Sequence, residues 1–218
     1  MNKLEGHSWS ASARLGAVVL VALLCLSPAG LNLRAQTLRA APPGEQSKPM
    51  PDAGGRRAPA IPDVAALDQD GKPLRFYSDL IKGKVVMLNF VFTSCTYVCP
   101  MQGANFSKLQ AALGDRLGKD VSLISVSIDP LTDTPQRLKS WGARFGARPG
   151  WTLVTGSKAE MDRLLRALTG DPSGVSEHSA VVLIGDYDRG VWVRADGLDD
   201  PARLIQTLGN ALPKWNKD

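Results

Sequence analysis

The stretch CTYVCP at residues 95–100 places two of the chain's three cysteines four residues apart, where an apolar run ends. Such a thiol pair can close a structural disulfide, exchange disulfides with a partner, or hold a soft metal ion. The third, Cys25, is preceded by Leu24 inside an uncharged N-terminal run and reads as an apolar filler. Of the two histidines, His7 precedes that run, and His178 lies in GVSEHSAVVLIG just ahead of an apolar strand. Cys95, Cys99 and His178 together offer two thiolates and one imidazole, a donor set suited to copper. Zinc would usually demand a fourth ligand. A four-residue spacing is one helical turn, which puts both sulfurs on one side, and a helix N-terminus there favours their ionised form.

Blander readings stand beside these. Outside the cytoplasm the cysteines could form a permanent disulfide, although so short a loop constrains little chain entropy. Met101 could donate a thioether, but a methionine at the start of an amphipathic helix ordinarily packs. Asp129 and Asp133, in SIDPLTDTP, follow a long strand, and ligand crevices in α/β sheets open at such strand ends. Asp129 is the candidate for supporting the metal ligands from behind; Asp133 reads as part of the turn before Pro135.

The elements that must position these residues begin with a short hairpin, Val64–Leu67 and Leu74–Phe76, around Asp70-Gly71-Lys72. Next, KVVMLNFVF at residues 84–92 is nearly continuous in apolar residues, as expected of a strand covered on both faces. Pro100 suits the first turn of a helix whose Phe106, Leu109, Leu113 and Leu117 recur on one face up to Gly118. Val121–Ile128 alternates as a strand. Thr134-Pro135 opens a helix with Leu138, Trp141 and Phe145. Strand and helix repeat in Trp151–Val154 and around Met161, Leu164, Leu165 and Leu168. The chain closes with strands Ser179–Ile184 and Val191–Ala195 about GDYDRG, then a helix with Leu204, Ile205, Leu208 and Leu212. This order predicts an α/β fold, a central mixed sheet flanked by helices, and a dithiol between its first long strand and the next helix points to a thioredoxin-like fold. In thioredoxins a proline lies on the loop entering the penultimate strand, near the dithiol; here Glu177-His178-Ser179 takes that place.

At 218 residues and 44% hydrophobic content the chain accommodates one domain with an appendage. Leu15–Leu26 is uncharged and apolar, and read on through Ser27-Pro28 to Leu33 it would span roughly 28 Å as a helix, near the hydrocarbon thickness of a bilayer. No clear small-x-small cleavage site follows, so residues 1–35 are expected to be an uncleaved anchor, with a cleaved signal peptide as the alternative. Lys3 and Arg14 before or at the start of the run orient the domain outward. Residues 36–61, rich in Pro, Gly and Ala, read as a flexible linker, and 62–218 as the domain. Of the net charge of +5, Lys3, Arg14 and Arg34 against Glu5 place +2 in residues 1–35. The +3 left to the remainder is too weak to argue for nucleic acid.

The three motifs CTYVCP, SIDPLTDTP and SEHS resemble those of the Sco (SenC) family, membrane-tethered copper proteins of thioredoxin-like fold that help assemble the copper site of cytochrome c oxidase. The resemblance extends over about Pro62 to Leu212. It implies that Cys95, Cys99 and His178 ligate copper and that the cysteines can also form a disulfide. The implied partner is the copper-site subunit of a respiratory oxidase or another copper chaperone, met on the periplasmic side of a bacterial inner membrane. One departure stands out: family members commonly carry Pro and an acidic residue between the cysteines, where this chain has Thr96-Tyr97-Val98.

Three functions therefore compete. The first is a copper-binding assembly factor that passes its metal on by ligand exchange. The second is a thiol-disulfide oxidoreductase, for which a C-x-x-C spacing and a proline before the penultimate strand would have spoken. The third, a peroxidase suggested by Thr93 two residues before Cys95, lacks the upstream Pro that chemistry usually shows.

Overall fold

The computed structural model describes residues 60–170, 180–186 and 189–211. His178 and the N-terminal segments 1–35 and 36–59 lie outside them. Among the described residues no helix is long and apolar enough to cross a membrane.

The expected hairpin forms from β1 (Ala65–Asp68) and β2 (Pro73–Arg75), paired antiparallel with Ala66 opposite Leu74. Gly71, at φ 77°, supplies the left-handed residue its turn requires. Phe76, expected to end the second strand, instead opens a π-helical turn over Phe76–Ile81. Asp63 accounts for this: its carboxylate accepts the backbone N–H groups of Tyr77 (3.1 Å) and Ser78 (3.0 Å), which a ladder would otherwise have used.

The remaining elements follow the expected alternation: β3 (Val85–Val91), α1 (Val98–Leu113), β4 (Val121–Ser127), α2 (Pro135–Arg144), β5 (Trp151–Thr155), α3 (Lys158–Thr169), β6 (Val181–Asp186), β7 (Val191–Asp196) and α4 (Pro201–Ala211). One seven-stranded mixed sheet results, in the order β2-β1-β5-β4-β3-β6-β7. β3, β4 and β5 are parallel to one another, while β6 runs antiparallel to β3 and β7 to β6. The helix expected to reach Gly118 stops at Leu113, because Gly114 takes a positive φ of 53° and a short 3-10 turn follows.

β3 is covered on both faces. Met87 and Val91 pack with side chains of α1, α2 and α4, including Phe106, Leu109, Trp141 and Leu204. Val86, Leu88 and Phe90 pack on the other face with Phe76, Ile81 and the Met161, Leu164, Leu165 and Leu168 stripe of α3. That double burial explains the run of apolar residues without alternation. α2 starts at the Thr134 cap, whose hydroxyl accepts the Arg137 N–H, with Pro135 at its first position.

Gly103 of α1 leaves room for the ring of Phe145, the residue that caps the end of α2. A methyl group built on Gly103 would lie 2.6 Å from the Phe145 ring, which itself packs at a tilt against Trp141, 4.6 Å between ring centres. Overpacking costs ~1–3 kcal/mol, against a helix-propensity gain of at most ~1 kcal/mol on replacing glycine. We expect Gly103→Ala to destabilise the protein by about 1 kcal/mol in urea titrations of the full chain; a stabilised variant would mean that Phe145 swings aside freely.

Candidate metal centre

β3 ends at Val91, and the chain turns before α1 begins at Val98. The Cys95 N–H donates to the Phe92 carbonyl at 3.2 Å, closing a tight turn that holds Cys95 ahead of the helix. Cys99 is the second residue of α1. The expectation of both sulfurs on one helical turn is therefore corrected to one sulfur on a turn and one on the helix. Pro100 sits at the third helical position, where a missing donor costs nothing because first-turn N–H groups have no acceptor within the helix. Tyr97 at the N-cap offers no side-chain bond. The Cys99 N–H points instead at the Cys95 sulfur, 3.4 Å away, so a sulfur occupies the place a capping oxygen would take.

This geometry separates the two thiols. Burial works against an ionised Cys95, but the backbone N–H groups of Cys99, Tyr97 and Val98 together with the Cys99 thiol outweigh it and hold its pKa below the usual thiol value. Cys99, 3% exposed and part of the core cluster beneath α1, behaves oppositely. Burial pushes its pKa up to about 12, the Cys95 sulfur and the Asp133 carboxylate add to the effect, and a backbone hydrogen bond from Phe92 opposes it. The expectation that a helix N-terminus would favour both thiolates holds for Cys95 alone. Both cysteines are free thiols here.

The adjacent β4–α2 loop contributes the carboxylate that sequence reading assigned to a turn. Asp133 immediately precedes the Thr134 cap, and it is fully buried. One of its oxygens accepts from the Thr93 N–H (2.9 Å) and the Thr93 hydroxyl (2.6 Å), and the other from the Ser127 hydroxyl (2.6 Å). Because β3 and β4 pair in register with Val91 beside Ser127, the two loops leave the sheet side by side. Asp129 is half-buried and shapes the same loop through its backbone: its N–H donates to the Ser127 hydroxyl oxygen at 3.1 Å, and its carbonyl accepts the Asp133 N–H at 2.8 Å.

Met101, expected to pack, is 46% exposed, since the buried face of α1 runs through Val98, Cys99, Gln102 and Phe106. Gln102 is fully buried, and neither polar atom of its amide has a partner among the described residues. Nothing but its place one turn after Cys99 distinguishes it in the sequence. Between the cysteines, Thr96 and Tyr97 are exposed, Tyr97 by 74%. Among the described residues no group of three or more His, Cys, Asp or Glu side chains is gathered for a metal. The described chain resumes after the His178 segment at Ala180, and Val182 of β6 lies opposite Asn89 of β3, so β6 is entered from the cysteine end of the sheet.

The family model described as SCO1/SenC matches residues 56–212. A protein of Stutzerimonas stutzeri that carries the provisional name copper-binding protein is 32% identical over 131 residues, and the chain spans only 60% of that relative's length, using 60% of its own. The solved structure of Bradyrhizobium japonicum ScoI with copper bound is 27% identical with a TM-score of 0.55, covering 68% of this chain and 96% of that one. The structure of BsSco, described as a member of the Sco family of cytochrome c oxidase assembly proteins with a disulfide switch, is 26% identical with a TM-score of 0.56, covering 72% and 96%. The fold is accordingly thioredoxin-like.

The separated thiols predict a pH profile. Alkylation of the reduced full chain by iodoacetamide should modify Cys95 first, with a rate that rises with pH and levels off below the pH at which an ordinary thiol, near 8.5, would do so. In Cys95→Ser, Cys99 should stay nearly unreactive through pH 9. Mass spectrometry reads the site, and equal rates at both cysteines would contradict the assignment.

Proposed function

The chain belongs to the SCO1/SenC family, and on that premise we propose that it is a copper-binding assembly factor helping to load the copper site of a respiratory cytochrome c oxidase. Its cargo is held by Cys95, Cys99 and His178. The observation that carries this reading is the pair of free thiols at the β3–α1 turn, one favouring the thiolate and one buried beside it. Cys95 meets the incoming ion as a ready soft donor. Cys99 then loses its proton to solvent as its sulfur binds the metal, a cost the metal bond must offset, which keeps the ion exchangeable. His178 supplies an imidazole as the third ligand, and release to a reduced acceptor proceeds by ligand exchange. The copper-named relative and the copper-bound ScoI support the cargo; the BsSco description supports the acceptor. In this reading residues 1–35 tether the chain to a bacterial inner membrane, residues 36–61 form the linker, and the domain from residue 62 faces the periplasm. Asp129 supports the ligands from the neighbouring loop.

The separation of the thiols also favours a second reading, a thiol-disulfide oxidoreductase acting on the cysteines of the same partner. The Cys95 thiolate would attack one sulfur of the partner's disulfide, releasing the other as a thiolate. Cys99, losing its proton to solvent, would then displace the partner's first sulfur and leave Cys95 and Cys99 oxidised.

Copper loading of the full chain tests the first reading. The reduced protein should bind one equivalent of Cu(I), and the disulfide form none, because oxidation removes both thiolate donors. His178→Ala should weaken binding by at least about tenfold, since even residues that only support a ligand contribute 10–100-fold. Equal uptake by oxidised and reduced protein would rule out the thiol pair. Unchanged copper affinity in His178→Ala, with loss of disulfide exchange, would favour the oxidoreductase.

A further inference from the structure

Behind Cys95, a carboxylate removed from water grips the turn that carries the sulfur. Asp133 reaches from the β4–α2 loop into the turn after β3, where one oxygen takes both the backbone N–H and the hydroxyl of Thr93, two residues before Cys95. Its other oxygen takes the hydroxyl of Ser127, the last residue of β4. Thr93 has one hydroxyl proton, committed to Asp133, and the same oxygen accepts from Nε of Arg137 at 3.2 Å. The end of β4, the first turn of α2 and the cysteine turn are thereby joined through one side chain. A buried carboxylate that loses a donor is left with its desolvation uncompensated. The network consequently has one well-satisfied arrangement, and that arrangement fixes where the turn lies.

We propose that Asp133 and Thr93 are positioning residues for the thiol pair, holding the Cys95 turn over the start of α1 and so setting both copper affinity and the balance between dithiol and disulfide. The copper half of this inference rests on the function proposed above; the disulfide half does not. A disulfide forms only within narrow limits of distance and angle, so a loosened turn should favour the dithiol. Copper held by both sulfurs needs the same preorganisation.

The test compares Thr93→Val, Thr93→Ser, Asp133→Asn and the double variant Thr93→Val/Asp133→Asn in the full chain. Valine keeps the volume of threonine and removes only the hydroxyl, whereas serine keeps the hydroxyl. The probes are glutathione redox buffers and Cu(I) presented in competition with a chelator of known affinity. Thr93→Val and Asp133→Asn should each shift the equilibrium with glutathione toward the dithiol by about tenfold, about 30 mV for a two-electron couple, and weaken Cu(I) binding by a similar factor. Thr93→Ser should stay within about twofold of the native protein. The double variant should be no worse than Asp133→Asn alone, because the two side chains act through one contact. Native values in Thr93→Val, a shift toward the disulfide, loss in Thr93→Ser equal to that in Thr93→Val, or full additivity would each overturn the proposal. If Asp133→Asn fails to fold, valine against serine at position 93 decides. Absence of copper binding in the native chain would defeat the functional reading, while the glutathione measurement would still judge the positioning role.

Discussion

β3 and β4 lie parallel in unbroken register from Val85 beside Val121 to Val91 beside Ser127, and the cysteine end of the molecule depends on that level ending. Strands that finish together send their following loops out from neighbouring points. One loop carries Cys95 and the other Asp133, and the contact between them spans 40 residues of sequence. The register is held by double burial, since a slip of one residue would send Met87 and Val91 to the face of Leu88 and Phe90. Packing deep in the sheet thus determines the position of a sulfur just beyond the end of its central strand.

Much of this fold was legible beforehand because its signals are local. The apolar run of β3, the Thr134-Pro135 start of α2 and the Met161 to Leu168 stripe of α3 each arise from neighbours in the chain. The departures come from contacts between distant residues. Phe76 leaves the hairpin because Asp63 claims the N–H groups that follow it. Cys95 and Cys99 were recognised as chemical partners by type and spacing. Their opposite acidities depend on which one the core buries, and that is a tertiary fact. Asp133 was hidden by its position beside a helix cap, where a carboxylate commonly serves the local turn. With Thr134 already capping α2, the Asp133 side chain is left to bond across to the next loop. His178 and the N-terminal segment lie outside the described residues, so the third ligand and the tether stand as proposals.

Separating the thiols serves either chemistry. An exposed pair of equal acidity would oxidise readily and scatter its encounters over two sulfurs. Here Cys95 is half-exposed and Cys99 buried, so under either proposed chemistry a partner would reach Cys95 first.

The two edges of the sheet differ in how readily they would accept another strand. β2 is three residues long and begins with Pro73, which has no N–H to offer. An incoming chain would find too few hydrogen bonds there to nucleate a cross-molecular ladder, so this border is protected against fibrillar growth. β7, at the opposite border, has six residues and no proline. Self-association by strand addition, where it occurs in this molecule, is therefore steered to one side.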